Sequence, residues 1–405
     1  MGSNGRRFRF NDRGTRFQIY AHSPGLGFEP ECVFVDAPPG SIRPGPADDV
    51  IAVIDALDKP CYYTDAGKLR KRPRYPYPPA APRATEPVEP EGGHFDHLKP
   101  SAWQFSSAMA YAAIRTTLSV WRHFFGLDRI VWHFTSKVRP TLQVHPRVEC
   151  ANAWSGDGFL EFGFPRFPDR RNRFCHNLEV VAHETGHLIM KAVVGTMPDD
   201  EKSLQHRAHE EAAADLIALV TALHFESVVT RTFDDTAGFL FSANILSRFG
   251  EWGRGPRALP RQSFNDDTMA SVRAEEPLTK HALSAPFTGA VFDAFVGMFV
   301  RHLLERGAID EPLAAQCRHQ PDVPVPDLRA DFRRQYRRHE DDFAEALRQA
   351  RDDLGWLLAS AWQRSTAGAI TYSTVLANLL QADADLRIGH GKLLHEVFGA
   401  RGIVP

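Results

Sequence analysis

His183 and His187 stand four residues apart with Glu184 between them, in the run Val180-Val181-Ala182-His183-Glu184-Thr185-Gly186-His187-Leu188-Ile189-Met190. On a helix, positions i and i+4 lie one above the other. Both imidazoles can therefore reach a single zinc ion while the Glu184 carboxylate stays beside it as a base. The flanks Val180, Val181, Ala182, Leu188 and Ile189 predict a buried helix, whereas an accidental occurrence of this spacing would more often fall on polar surface.

Catalytic zinc takes three protein ligands and leaves its fourth position to water, so a third donor must follow. One pattern continues the same helix with Gly and then His, but Met190 and Val193 occupy those positions and exclude it. The other takes a Glu from a second helix with an Asp one turn later, and the chain reads His209-Glu210-Glu211-Ala212-Ala213-Ala214-Asp215. Glu211 can bind the metal while Asp215 hydrogen-bonds the far nitrogen of a ligand imidazole. Glu210 is the neighbouring alternative, but Ala214 gives it no acidic or amide partner, so Glu211 is preferred.

With these residues in place the sequence resembles the thermolysin-like metallopeptidases of the gluzincin class. Asn152-Ala153-Trp154, followed by Gly158 to Gly163, is similar to the family's edge strand, which implies that Asn152 and Ala153 hold the substrate backbone. His281, at the head of His281-Ala282-Leu283-Ser284-Ala285-Pro286-Phe287, takes the position of the family's transition-state-stabilising histidine. The likeness spans about residues 96 to 300, with its four blocks in the family order. It implies an α+β, two-lobed fold with a β-containing N-terminal lobe, central zinc helices and a mainly helical C-terminal lobe, the cleft lying between the lobes. The activity implied is that of a zinc endopeptidase, with a peptide or protein as substrate. No Gly-x-Met-Glu-Asn stretch for binding a free amino terminus is present.

There are departures. Pro198 stands where the family has a second donor, a Tyr eleven residues past the second ligand histidine. Glu179 keeps one acidic position of the calcium-binding segment, but Ala222 replaces a further Glu, which makes structural calcium doubtful. Arg231 and Arg248 are both candidates for the family's substrate-binding Arg. The departures leave two alternatives in view: a catalytically silent zinc-binding protein of the same fold, or a processing protease of narrow specificity.

The elements that must position these residues can be read from composition and periodicity. The chain has 405 residues, 43% hydrophobic and 24% charged, with 48 basic and 50 acidic side chains and a formal net charge of −2. That balance argues for a core of ordinary size and against nucleic acid or an anionic membrane as partner. Five cysteines without a C-x-x-C pair suit a reducing compartment. No apolar leader and no run of eighteen apolar residues is present, so a cytoplasmic location is expected, with export by a non-classical route as the alternative. Oligomeric state is not legible.

In chain order, residues 1–71 read as a small β-rich unit with strands at Arg7–Phe10, Arg16–Tyr20 and Cys32–Val35, serving as a cap, an inhibitory pro-segment or an extension of the catalytic sheet. Residues 72–95 read as a Pro-rich linker. Residues 96–228 form the catalytic lobe: a long helix capped by Ser101, strands at Ile130–Phe134 and Leu142–His145, the edge strand, and zinc helices over about 177–192 and 207–226. Residues 229–405 begin with a long loop, about 230–280, and continue as a helical lobe with helices from about Phe287 to Leu304, over 328–363, over 371–380 and over 391–398. Cys175 is expected to be a buried thiol, His133 and His145 hydrogen-bonded sheet histidines, and His206, His209 and His224 surface residues or neighbours of the ligands.

Overall fold

The computed structural model describes residues 7–56, 84–136, 140–148, 152–164, 173–249, 261–317 and 325–405. The protein is α+β, and its contacts divide it into two compact units. One comprises the described residues of Arg9–Gly195. The other comprises those of Thr196–Gly250 and Pro260–Pro405, with Arg7 and Phe8. The residues expected to form one catalytic lobe, 96–228, are thus shared between both units.

In the first unit, strand β1 (Thr15–Ile19) alternates buried Thr15, Phe17 and Ile19 with partly exposed Arg16 and Gln18, and pairs antiparallel with β2 (Glu31–Val35). This is the period-two pattern of a strand with one face in a core. Phe17 stacks on Phe95 and on Tyr111 of helix α1 (Trp103–Phe124). A four-stranded sheet runs in the order β3 (Ile51–Val53), β4 (Leu142–His145), β6 (Phe159–Phe162), β5 (Ala153–Gly156). Only the β5–β6 pair is antiparallel. β3 comes from the N-terminal stretch and pairs with β4, whereas β1 and β2 form a two-stranded sheet of their own. Asp157-Gly158 makes the tight turn between β5 and β6, with Gly158 at φ +90, and β5 ends the sheet as an edge. Beside it packs helix α2 (Leu178–Val193).

In the second unit, α3 (Leu204–Ala222) is followed by α4 (Glu226–Thr236), the short strands β7 (Arg248–Phe249) and β8 (Arg261–Gln262), and α5 (Met269–Arg273). The expected loop of 230–280 is therefore partly regular. Next come α6 (Lys280–Glu305), α7 (Glu311–Gln316), α8 (Val325–Tyr336), α9 (Glu340–Gln363), α10 (Tyr372–Leu386) and α11 (Gly391–Ala400). α6 is apolar nearly all round because α3, α9 and α11 all pack on it.

Several expectations need correction. Residues 7–10 and 130–134 form no strand; the Trp132 indole N–H instead donates to the Val50 carbonyl. α1 starts after Ala102, without a side-chain cap, rather than after Ser101. α6 begins at Lys280, ahead of Pro286, because Thr279 caps it by accepting from the Ala282 N–H. The helix expected over 328–363 breaks between Tyr336 and Glu340. Of the expected linker, 72–83 lies outside the described residues, and 84–95 is packed, with bridges from Val88 to Gly45 and from Ala84 to Ala56 and with Phe95 buried.

Candidate metal centre

α2 forms where the apolar period predicts it. Asn177 starts it by accepting from the Glu179 N–H, Glu179 sits in the first turn, and Lys191 in the last turn complements the helix dipole. Val181, Ala182, Leu188 and Ile189 are fully buried. With that face fixed, His183 and His187 project one above the other, ring centroids 4.8 Å apart and planes nearly perpendicular. Glu184 lies on the same helix between them. Two imidazoles with a carboxylate alongside form a donor set suited to zinc.

Two neighbours steady this helix. The Cys175 thiol donates to the Pro146 carbonyl, and burial pushes it up to about 12, so it is an inert core group, as expected. Glu179 is buried with its Oε2 3.1 Å from Nε2 of His22, itself 1% exposed. The sequence reading missed this partner, since nothing in the spacing links residues so far apart.

Just ahead of α2, His176 Nε2 lies 2.9 Å from Ser106 Oγ, and burial, helped by the nearby Arg173 guanidinium, pushes its pKa down to about 3. An unfolded histidine takes up its proton near pH 6.5, so between there and pH 3 the unfolded chain binds more protons. The contribution is complete above pH 6.5 and is lost on acidification at about 1.4 kcal/mol per pH unit. Urea unfolding at pH 7.5 and pH 5 should show about 2 kcal/mol more acid loss in the wild type than in His176→Gln.

In the second unit, Ser203 caps α3 by accepting from the His206 N–H. Glu211 and Asp215 lie one turn apart on it, both buried. Glu210 instead meets Lys202, 2.9 Å away, and His206. The helix thus separates the two adjacent glutamates, Glu211 buried and Glu210 partly exposed beside Lys202. Glu211 has two further neighbours from the start of α6. Lys280 Nζ donates to its Oε1 at 2.6 Å, and His281 Nδ1 lies 3.4 Å from its Oε2. The Lys280 contact was not foreseen; the one available signal was a cation next to the histidine.

Other expected residues fall as follows. Asn152 is exposed and its side-chain oxygen accepts from the Ala153 N–H where β5 begins. His133 contacts Asp157 at 2.9 Å outside any strand, and His145 in β4 contacts the Ile54 carbonyl at 3.0 Å. His206 and His209 are buried rather than surface residues, and the His209 ring meets Phe287 edge-on. Arg231 pairs with Asp235.

No family model matches this chain, and neither does any curated protein. Among solved structures the chain is similar to a precursor of protealysin, a metalloproteinase from Serratia proteamaculans. The two share 13% identity over 88% of each chain, with a TM-score of 0.47.

Proposed function

We propose that the protein is a zinc endopeptidase in which His183, His187 and Glu211 bind one metal ion. The observation that carries this reading is the pair of edge-to-face imidazoles on α2 with Glu184 between them. Glu211 supports it as a buried carboxylate with Asp215 one turn on. Among the described residues, groups of histidine and carboxylate side chains occur that could hold a metal ion.

Zinc bound by these donors would supply Lewis acidity toward a scissile carbonyl and acidify water in its open position. Glu184 takes the proton of the attacking water and passes it to the leaving amine. His281 donates a hydrogen bond to the oxyanion, a contact worth about 3 kcal/mol in the transition state. Lys280 orients the Glu211 carboxylate by donating to it. Asn152 and the edge of β5 receive the peptide as an added strand. Substrate class, zinc as the ion and a cytoplasmic workplace all belong to this proposal.

The test compares zinc content and digestion of a peptide library for the wild type and His187→Ala. The variant should lose one zinc equivalent and all cleavage. Retention of either would remove α2 as the metal helix.

A further inference from the structure

A second convergence of ligand-type side chains lies within the second unit. His302 of α6, Asp353 of α9 and His390, the residue before α11, each offer one donor atom, and the three atoms lie within 4.8 Å of one another. His302 Nε2 is 2.8 Å and His390 Nε2 3.1 Å from the same carboxylate oxygen, Asp353 Oδ2. Tetrahedral zinc with nitrogen and oxygen donors at about 2.0–2.1 Å requires donors roughly 3.3 Å apart, so the cluster already has nearly the right span.

The surroundings fit the same reading. His302 Nδ1 lies 3.2 Å from Glu305 Oε2, the outer carboxylate that fixes the tautomer of a ligand histidine and turns its other nitrogen to the metal. His390 is 1% exposed and its turn is pinned, its own N–H and that of Gly391 both donating to Asp383 at 2.8 Å. Arg301 is a cation close to the cluster. It is held by Glu305 and the Gly389 carbonyl, with one nitrogen 3.4 Å from His390 Nδ1 on the far edge of the ring from the cluster. Two carboxylates, Asp353 and Glu305, outweigh it. A cavity of about 810 Å³ is lined by His390 of the cluster and by Arg301, Glu305, Gly297, Leu393 and Val397 among others.

We propose that His302, Asp353 and His390 form a second metal site, distinct from the α2 motif, for a divalent transition cation such as zinc. The cation takes the place of the hydrogens that now lie between the imidazole nitrogens and Asp353, and joins α6, α9 and the start of α11. Three protein ligands leave one position open to water.

The experiment is equilibrium dialysis of the chelator-stripped full chain against zinc alone, with folding checked by circular dichroism. Asp353→Asn and the partly exposed His302→Gln should each bind one zinc fewer than the wild type. His187→Ala should keep the zinc that Asp353→Asn loses, and the double variant His187→Ala/Asp353→Asn should bind none. Folded Asp353→Asn and His302→Gln chains that match the wild-type stoichiometry would overturn the proposal. A single zinc lost in Asp353→Asn but kept in His187→Ala would uphold it and overturn the peptidase reading; the converse would overturn it and leave that reading standing.

Discussion

Glu184→Gln is expected to lower peptide hydrolysis by about 10²–10⁴-fold in kcat/KM while leaving the zinc content unchanged. The amide keeps the size and nearly the helix propensity of the carboxylate, so α2 should hold its caps and its buried face. What disappears is the basic oxygen that accepts the proton of the attacking water. A variant that bound zinc and hydrolysed peptides at the wild-type rate would place the base elsewhere. Loss of zinc together with activity would mean that Glu184 is a ligand instead.

The second large effect is on stability. Phe287→Ala should cost about 3–5 kcal/mol, read as a lower urea midpoint for the second unit. Phe287 is fully buried in α6, its ring 4.9 Å from that of Tyr372, 5.3 Å from His209 and 5.4 Å from Phe398. One side chain therefore ties α6 to α3, α10 and α11. Tyr372 donates to the Leu283 carbonyl from the same cluster, so a collapsing cavity would disturb a hydrogen bond as well. A loss below 1 kcal/mol would mean that these helices repack freely around the gap.

Much of this arrangement was legible because it is written in short periods. The buried face of α2 and the Glu211–Asp215 turn of α3 both follow from 3.6-residue spacing, and β1 follows from spacing of two. The reading failed where long-range packing decides. Arg7–Phe10 alternates like a strand, yet Arg7 reaches Glu345 and Asp352 of α9 instead of a neighbouring strand. The expected start of α6 near Phe287 is too late, because the Thr279 cap begins the helix at Lys280 and it runs on through Pro286 despite the lost donor and the crowding of that ring. The pairing of Lys280 with Glu211, of His22 with Glu179, and of His302 and His390 with Asp353 joins residues far apart in the chain. No local spacing announces such pairs.

The central claim is that Glu211 is the third ligand to the zinc bound by His183 and His187. The most direct measurement is the zinc content of Glu211→Ala beside that of Glu210→Ala, each compared with the wild type. Glu211→Ala should lose the same zinc equivalent as His187→Ala, whereas Glu210→Ala, whose carboxylate faces Lys202, should keep it. Full zinc in Glu211→Ala, or loss in Glu210→Ala alone, would contradict the account.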